Sequence, residues 1–115
     1  MSAPGREDEL YEALGASQRL GLLGARPIPE VVEHARMYVR ALAGVSGRVI
    51  DIGAGGGVPG LVIAHDRPDL EIVLVDRRQK RTDFLERVRR RYAWLASVEV
   101  RCAEVTDLVA TMPSG

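Results

Sequence analysis

Residues 49–60 read Val-Ile-Asp-Ile-Gly-Ala-Gly-Gly-Gly-Val-Pro-Gly. A β-branched apolar run meets an acid, Asp51, and then passes through Gly53, Gly55, Gly56, Gly57 and Gly60, five glycines in eight positions. Glycine lacks a Cβ, so such a loop lets backbone approach a bound cofactor, and Pro59 suits the first turn of a following helix. The charge of the acid bears on the ligand. A carboxylate at a strand tip repels a pyrophosphate but attracts an ammonium or sulfonium. The loop therefore points to S-adenosyl-L-methionine. Gly55-x-Gly57-x-x-Gly60 also matches the dinucleotide fingerprint, and Asp76 follows Gly55 by 21 residues, so a NAD(P)- or FAD-binding Rossmann module is the rival reading. Asp76 suits either, because a carboxylate at the end of a second strand can accept both ribose hydroxyls.

These residues need elements to carry them. Residues 48–52, 71–76 and 98–102 read as three strands. The helices are expected over 7–20, 29–43, 59–65 and 79–93, with another starting at Glu104. Their apolar faces carry Leu10 and Leu14, then Val32, Ala35, Val39 and Leu42, then Phe84, Leu85, Val88 and Tyr92. Strands alternating with helices predict an α/β fold with a parallel sheet. The organisation expected is an N-terminal helical segment, residues 1–44, followed by a Rossmann-like portion, residues 45–115.

Composition sets outer bounds. The chain has 115 residues, 46% apolar, with zero formal net charge, so it can pack a core and has no global pull toward nucleic acid or membrane. Charge is uneven, however. Residues 76–91 hold eight Arg or Lys against Asp76, Asp83 and Glu86, a local +5. The plain reading of Arg87 to Arg91 is a solvated helix face with Asp83–Arg87 and Glu86–Arg90 pairs, and phosphate contact is the minority one. A single cysteine excludes an intrachain disulfide and a cysteine-based metal site. Cys102 is read as a core residue, His65 as surface, and Tyr92, Trp94 and Leu95 as a cap on the core. No run approaches a membrane span, and the first ten residues lack a signal-peptide core, so a cytoplasmic location is expected.

The sequence resembles the bacterial 16S rRNA guanine-N7 methyltransferases, the glucose-inhibited division protein B family. That family's loop runs acid, hydrophobic, Gly, Ser/Thr, Gly, x, Gly, x, Pro, Gly, which here is Asp51 to Gly60. Pro59-Gly60 is the specific part of the match. Arg67-Pro68-Asp69-Leu70, Leu74-Val75-Asp76, Lys80-Arg81 and Phe84-Leu85 continue it, over roughly residues 20–110. The resemblance implies a Rossmann-like methyltransferase fold and a cofactor site of Asp51, Gly53, Ala54, Gly55, Gly57, Pro59, Gly60 and Asp76. Ala103 and Glu104 would lie along the adenine. It implies 16S rRNA, or the small ribosomal subunit, as partner, with His34, Arg77, Lys80 and Arg81 as candidate RNA contacts. Ala54 stands where the family carries a hydroxyl residue, Arg77 where a serine is common, and Glu33 where a basic residue is typical. The family's sheet has seven strands and this chain supplies about three, so the expectation is a truncated methyltransferase. Its base-positioning residues would lie beyond Gly115, its catalytic residues are not assigned, and its exposed first strand invites self-association. The alternative is a non-catalytic, cofactor-binding remnant or interaction subunit.

Overall fold

A computed structural model describes residues 6–104 and Thr106. The elements run α1 (Arg6–Arg19), α2 (Ile28–Ala41), β1 (Arg48–Ile52), α3 (Gly60–Asp66), β2 (Glu71–Asp76), α4 (Gln79–Arg91), a single 3₁₀ turn (Ala93–Leu95) and β3 (Val98–Cys102). The helix read from Glu104 onward falls largely outside the described residues.

β1 is bounded by Gly47 and Gly53, and β2 by the Arg67-Pro68-Asp69 turn before it and Arg77-Arg78 after it. The strands all pair in parallel, in the order β1-β2-β3, with Ile52 opposite Val75 and Asp76 opposite Cys102. β1 therefore forms one edge of the described sheet. Pro27 and Pro29 set the start of α2, since a first helical turn tolerates proline. Glu7, Asp8 and Glu9 occupy the first turn of α1 and Arg19 its last, complementing the helix dipole at both ends.

Alternate residues of the strands face opposite ways. Ile72 and Leu74 of β2 join one core with Leu10 and Leu14 of α1, Val32 and Ala35 of α2, Leu61 and Val62 of α3, and Phe84, Leu85 and Val88 of α4. Burying a leucine contributes about 1.5–3 kcal/mol, so α1 is integral to this core. On the opposite face Val73 and Val75 pack with Ile50 and Ala103.

Three local expectations are corrected. Cys102 is exposed rather than in the core, because it ends the outer strand β3 past the helices. His65 is largely covered rather than on the surface: its side chain is 11% exposed and meets the Trp94 ring edge-on at 5.3 Å. Asp83 and Arg87 do not pair. Asp83 instead accepts a hydrogen bond from Gln79 Nε2 at 2.9 Å, while Glu86 takes Arg89 at 2.9 Å and Arg90 at 3.6 Å.

Candidate cofactor cleft

The candidate site is built where β1 and β2 end. Beyond Ile52 the chain turns at Gly53, whose φ is +77°. The Gly53 and Ala54 amides both donate to the Val75 carbonyl, at 2.8 and 2.9 Å, folding the loop across the tip of β2. The Gly55 amide then donates to Asp76 Oδ2 at 3.0 Å, and the Gly57 amide to the Ala54 carbonyl at 2.8 Å. The amides of residues 53, 54, 55 and 57 are thus spent inside the protein, and the loop offers a ligand less free N–H than its glycines suggest.

What the loop gains from its glycines is close packing. An added Cβ at Gly56 would come 2.5 Å from the Leu22 carbonyl oxygen and 2.6 Å from Ser17 Oγ. Ser17, buried in α1, donates to the Gly56 carbonyl at 2.8 Å. A Cβ at Gly60 would come 2.3 Å from Leu74 Cδ2 and 2.6 Å from Asp51 Oδ2. Pro59 caps α3 and its carbonyl accepts the Ile63 amide at 3.0 Å.

The two acids have different settings. Asp51 sits under the loop on the helix-facing side of β1, and its Oδ2 is shielded from solvent with no hydrogen-bond partner. Burial pushes its carboxyl above the ordinary range. The Gly60 amide partly offsets this, and the charge of Asp76 adds to it. Asp76 is also buried, which works to raise its pKa, but donors win. The Arg78 amide at 2.9 Å, the Gly55 amide and Arg81 Nη1 at 3.5 Å hold it below the ordinary carboxylate range. Asp76 is therefore a fixed anion at the strand tip.

Beside it opens a cleft of about 210 Å³, lined by Ile52, Gly53, Val75, Asp76, Arg77, Arg78, Arg81, Ala103 and Glu104. The Ala103 amide donates to the Asp76 carbonyl at 3.0 Å, which sets the far wall. Among the residues singled out from sequence, the structure brings Gly53, Asp76, Arg77, Arg81, Ala103 and Glu104 to this cleft. Asp51, Ala54, Gly57, Pro59 and Gly60 lie in or beneath the loop, and Gly55 reaches the cleft only through Asp76. His34 is exposed on α2, and Lys80 lines a different depression with Leu20 and Leu22. Sequence reasoning missed Ile52, Arg78 and Ser17. Arg78 had a signal, since an aspartate two residues before the residue that caps a helix can accept that residue's amide as an Asx turn. Ser17 had none, being 39 residues from its partner.

A cleft at the carboxyl ends of parallel strands, closed by a glycine loop and backed by an acid on the second strand, defines a Rossmann-like cofactor-binding domain. The sequence model of rRNA small subunit methyltransferase G, the GidB family, matches residues 10–112. The chain belongs to this family. It is similar to the Ribosomal RNA small subunit methyltransferase G of Mycobacterium avium (strain 104), 42% identical over 81 residues, covering 67% of this chain and 33% of that protein. It is also similar to the proteins of that name from Acidothermus cellulolyticus, 42% identical over 71 residues, 59% of this chain and 32% of that one, and from Salinispora tropica, 37% identical over 83 residues, 70% and 34%. The chain spans about a third of the length of the curated relatives it matches. Family membership sets aside the dinucleotide reading. No helix among the described residues is long and apolar enough to cross a membrane.

Proposed function

We propose that this chain binds S-adenosyl-L-methionine at the β1–β2 cleft and serves methylation of small-subunit rRNA at a guanine N7. The observation that carries the reading is the fixed Asp76 carboxylate beside an open glycine turn, in a chain of this family. A carboxylate has about four acceptor positions, and three donors meet Asp76, so it retains capacity for a ribose hydroxyl. An added Cβ at Gly53 would meet nothing within 4 Å, which leaves room for a ligand over the turn. About 210 Å³ is below the 300–1,000 Å³ of a whole-ligand pocket, so the cleft suits the nucleoside half.

In this reading Asp76 takes the ribose, Ala103 and Glu104 flank the adenine, and Ile52 and Gly53 form the near wall. Ala54, Gly55, Gly57, Pro59 and Gly60 hold the loop in shape, and Asp51 supplies negative potential beneath it toward the ammonium. Arg77 and Arg81 at the mouth, with His34 and Lys80 further out, are the candidate rRNA contacts. The cofactor supplies an activated methyl group. Guanine N7 has an exposed lone pair and no proton to lose, so the protein's part is alignment rather than general-base catalysis.

Isothermal titration of the chain with S-adenosylmethionine, with NAD as comparison, tests the cofactor assignment. Saturable heat with the first and none with the second is expected. No heat at several hundred micromolar protein would end the proposal. Transfer of tritium from methyl-labelled cofactor to small ribosomal subunits tests the substrate.

A further inference from the structure

On the flank of α4 away from β3 lies a trough against α1. One part, about 350 Å³, is lined by Leu20, Leu22, Lys80, Asp83, Phe84 and Arg87. The next, about 720 Å³, shares Leu20, Phe84 and Arg87 and runs on to Arg90, Arg91 and Tyr92, with Ala13, Ala16 and Arg19 on the α1 side. It begins beside Arg81, which lines the cleft, and follows α4 for eleven residues, about 16 Å at 1.5 Å per residue.

The charge of the trough is one-sided. Five basic side chains face two acids, a net +3; Glu12 is ion-paired within the protein, and Asp83 keeps its charge while accepting from an uncharged amide. Asp83 takes Gln79, and Glu12 takes Arg91 at 3.1 Å together with the Tyr92 hydroxyl. Among the described residues Arg19, Lys80 and Arg87 have no carboxylate within ion-pairing distance, and Arg90 is 75% exposed with only a 3.6 Å contact to Glu86. Had Asp83 met Arg87, one guanidinium of this flank would be occupied by a carboxylate. Because it does not, free guanidinium groups line an apolar-floored channel, and guanidinium groups bind phosphate oxygens in pairs of parallel hydrogen bonds.

We propose that this trough holds the sugar–phosphate backbone of an RNA strand leading away from the methylation cleft, an inference that rests on the rRNA methyltransferase reading. Leu20, 48% exposed, would lie against sugar carbons while Arg19 and Arg87 take phosphates from opposite walls. With Phe84 and Tyr92 buried, no aromatic face is offered for base stacking, so the contact is indifferent to sequence.

The test is fluorescence anisotropy of a fluorescein-labelled, mixed-sequence 20-nucleotide single-stranded RNA, titrated with the full chain over a range of salt. Each phosphate contact on a single strand contributes about 0.7 to the slope of log affinity against log salt. The Arg19→Gln/Arg87→Gln double variant should lower that slope by about 1.4 and weaken binding about 25-fold at 0.1 M salt. Arg87→Lys should keep most of the slope. A charge-matched Arg26→Gln/Arg48→Gln variant, on exposed residues outside the trough, should change little. Circular dichroism melting of each variant confirms that it folds. An unchanged slope in the trough variant, or an equal loss in the control, overturns the proposal. So does tighter binding of a labelled glutamate-rich amphipathic peptide that the same double variant abolishes. Heat of S-adenosylmethionine binding is read in parallel. If the unmodified chain shows none while the trough variant still loses RNA, the RNA contact stands and the cofactor reading falls.

Discussion

Replacing Asp51 with asparagine separates what this residue does for the fold from what it does for a ligand. Its Oδ2 is buried without a partner, and leaving a buried acceptor unpaired costs about 1–3 kcal/mol. Asparagine removes the charge but buries an amide in its place, so the expected gain is near the lower end, about 1 kcal/mol. In a domain of this size that is a rise in Tm of about 4 °C. The pH dependence follows from the direction of the shift. Burial raises the native pKa of Asp51 above its unfolded value of about 3.9. The native state therefore binds the proton more tightly, and stability falls as pH rises through the native pKa. The asparagine variant should melt higher than the unmodified chain at pH 8, and the gap should close toward pH 4. Melting followed by far-ultraviolet circular dichroism at the two pH values, without cofactor, checks this. An equal gap at both, or a lower-melting variant at pH 8, would refute the assignment of a carboxylate whose burial is only partly offset. Repeating the melts with S-adenosylmethionine at a hundred times its Kd reads the ligand side. A binding-competent chain gains about 2.7 kcal/mol under those conditions; the variant at the same ligand concentration should gain less, and a deficit above about 1 kcal/mol inverts the order of melting. Equal gains would make Asp51 structural only.

Two further outcomes are expected. Gly60→Ala forces a methyl group to within 2.3 Å of Leu74 Cδ2 and 2.6 Å of Asp51 Oδ2, an overpacking of about 1–3 kcal/mol. Urea unfolding should show this loss, and it should shrink in an Asp51→Ala background. Asp76→Asn gives up charge-assisted hydrogen bonds from the Gly55 and Arg78 amides, each worth about 1.5–3 kcal/mol to a charged acceptor. Because one acceptor survives, a net loss of about 1–2 kcal/mol is expected at pH 7. That difference is present above about pH 3.9, the unfolded value, and is lost as pH falls through the lowered native pKa, which urea curves at pH 7 and pH 3 would show.

The strands were legible because their signal is local. β-Branched runs bounded by Gly47, Gly53 and Pro68 on one side or the other leave little freedom, and all three strand ranges agree with the reading. Helix ends were less so. α4 stops at Arg91 rather than at residue 93, because Tyr92 leaves helical geometry and the chain forms a 3₁₀ turn. Glycine spacing located the loop but not the direction of its amides, which depends on Val75 and Asp76 lying alongside. The Asp83–Arg87 spacing was right for a pair, yet Asp83 bonds Gln79 one turn earlier instead, a choice of rotamer that spacing does not encode. Cys102 alternates like a core residue, and only its place on the outermost described strand shows that nothing in the helix layer covers it.

α1 lines the arginine trough and also touches the glycine loop behind the cleft. Ser17 holds the Gly56 carbonyl, while Ala13, Ala16, Arg19 and Leu20 form a wall of the arginine trough. An element shared in this way makes the two sites thermodynamic neighbours. If an occupant of the trough favours one setting of α1, the glycine loop feels that preference through the Ser17 hydroxyl and through the Leu22 carbonyl packed against Gly56. By linkage, cofactor in the cleft would then alter affinity in the trough by the same factor. Ser17→Ala would remove one of these links and weaken the coupling while leaving both sets of ligand contacts in place.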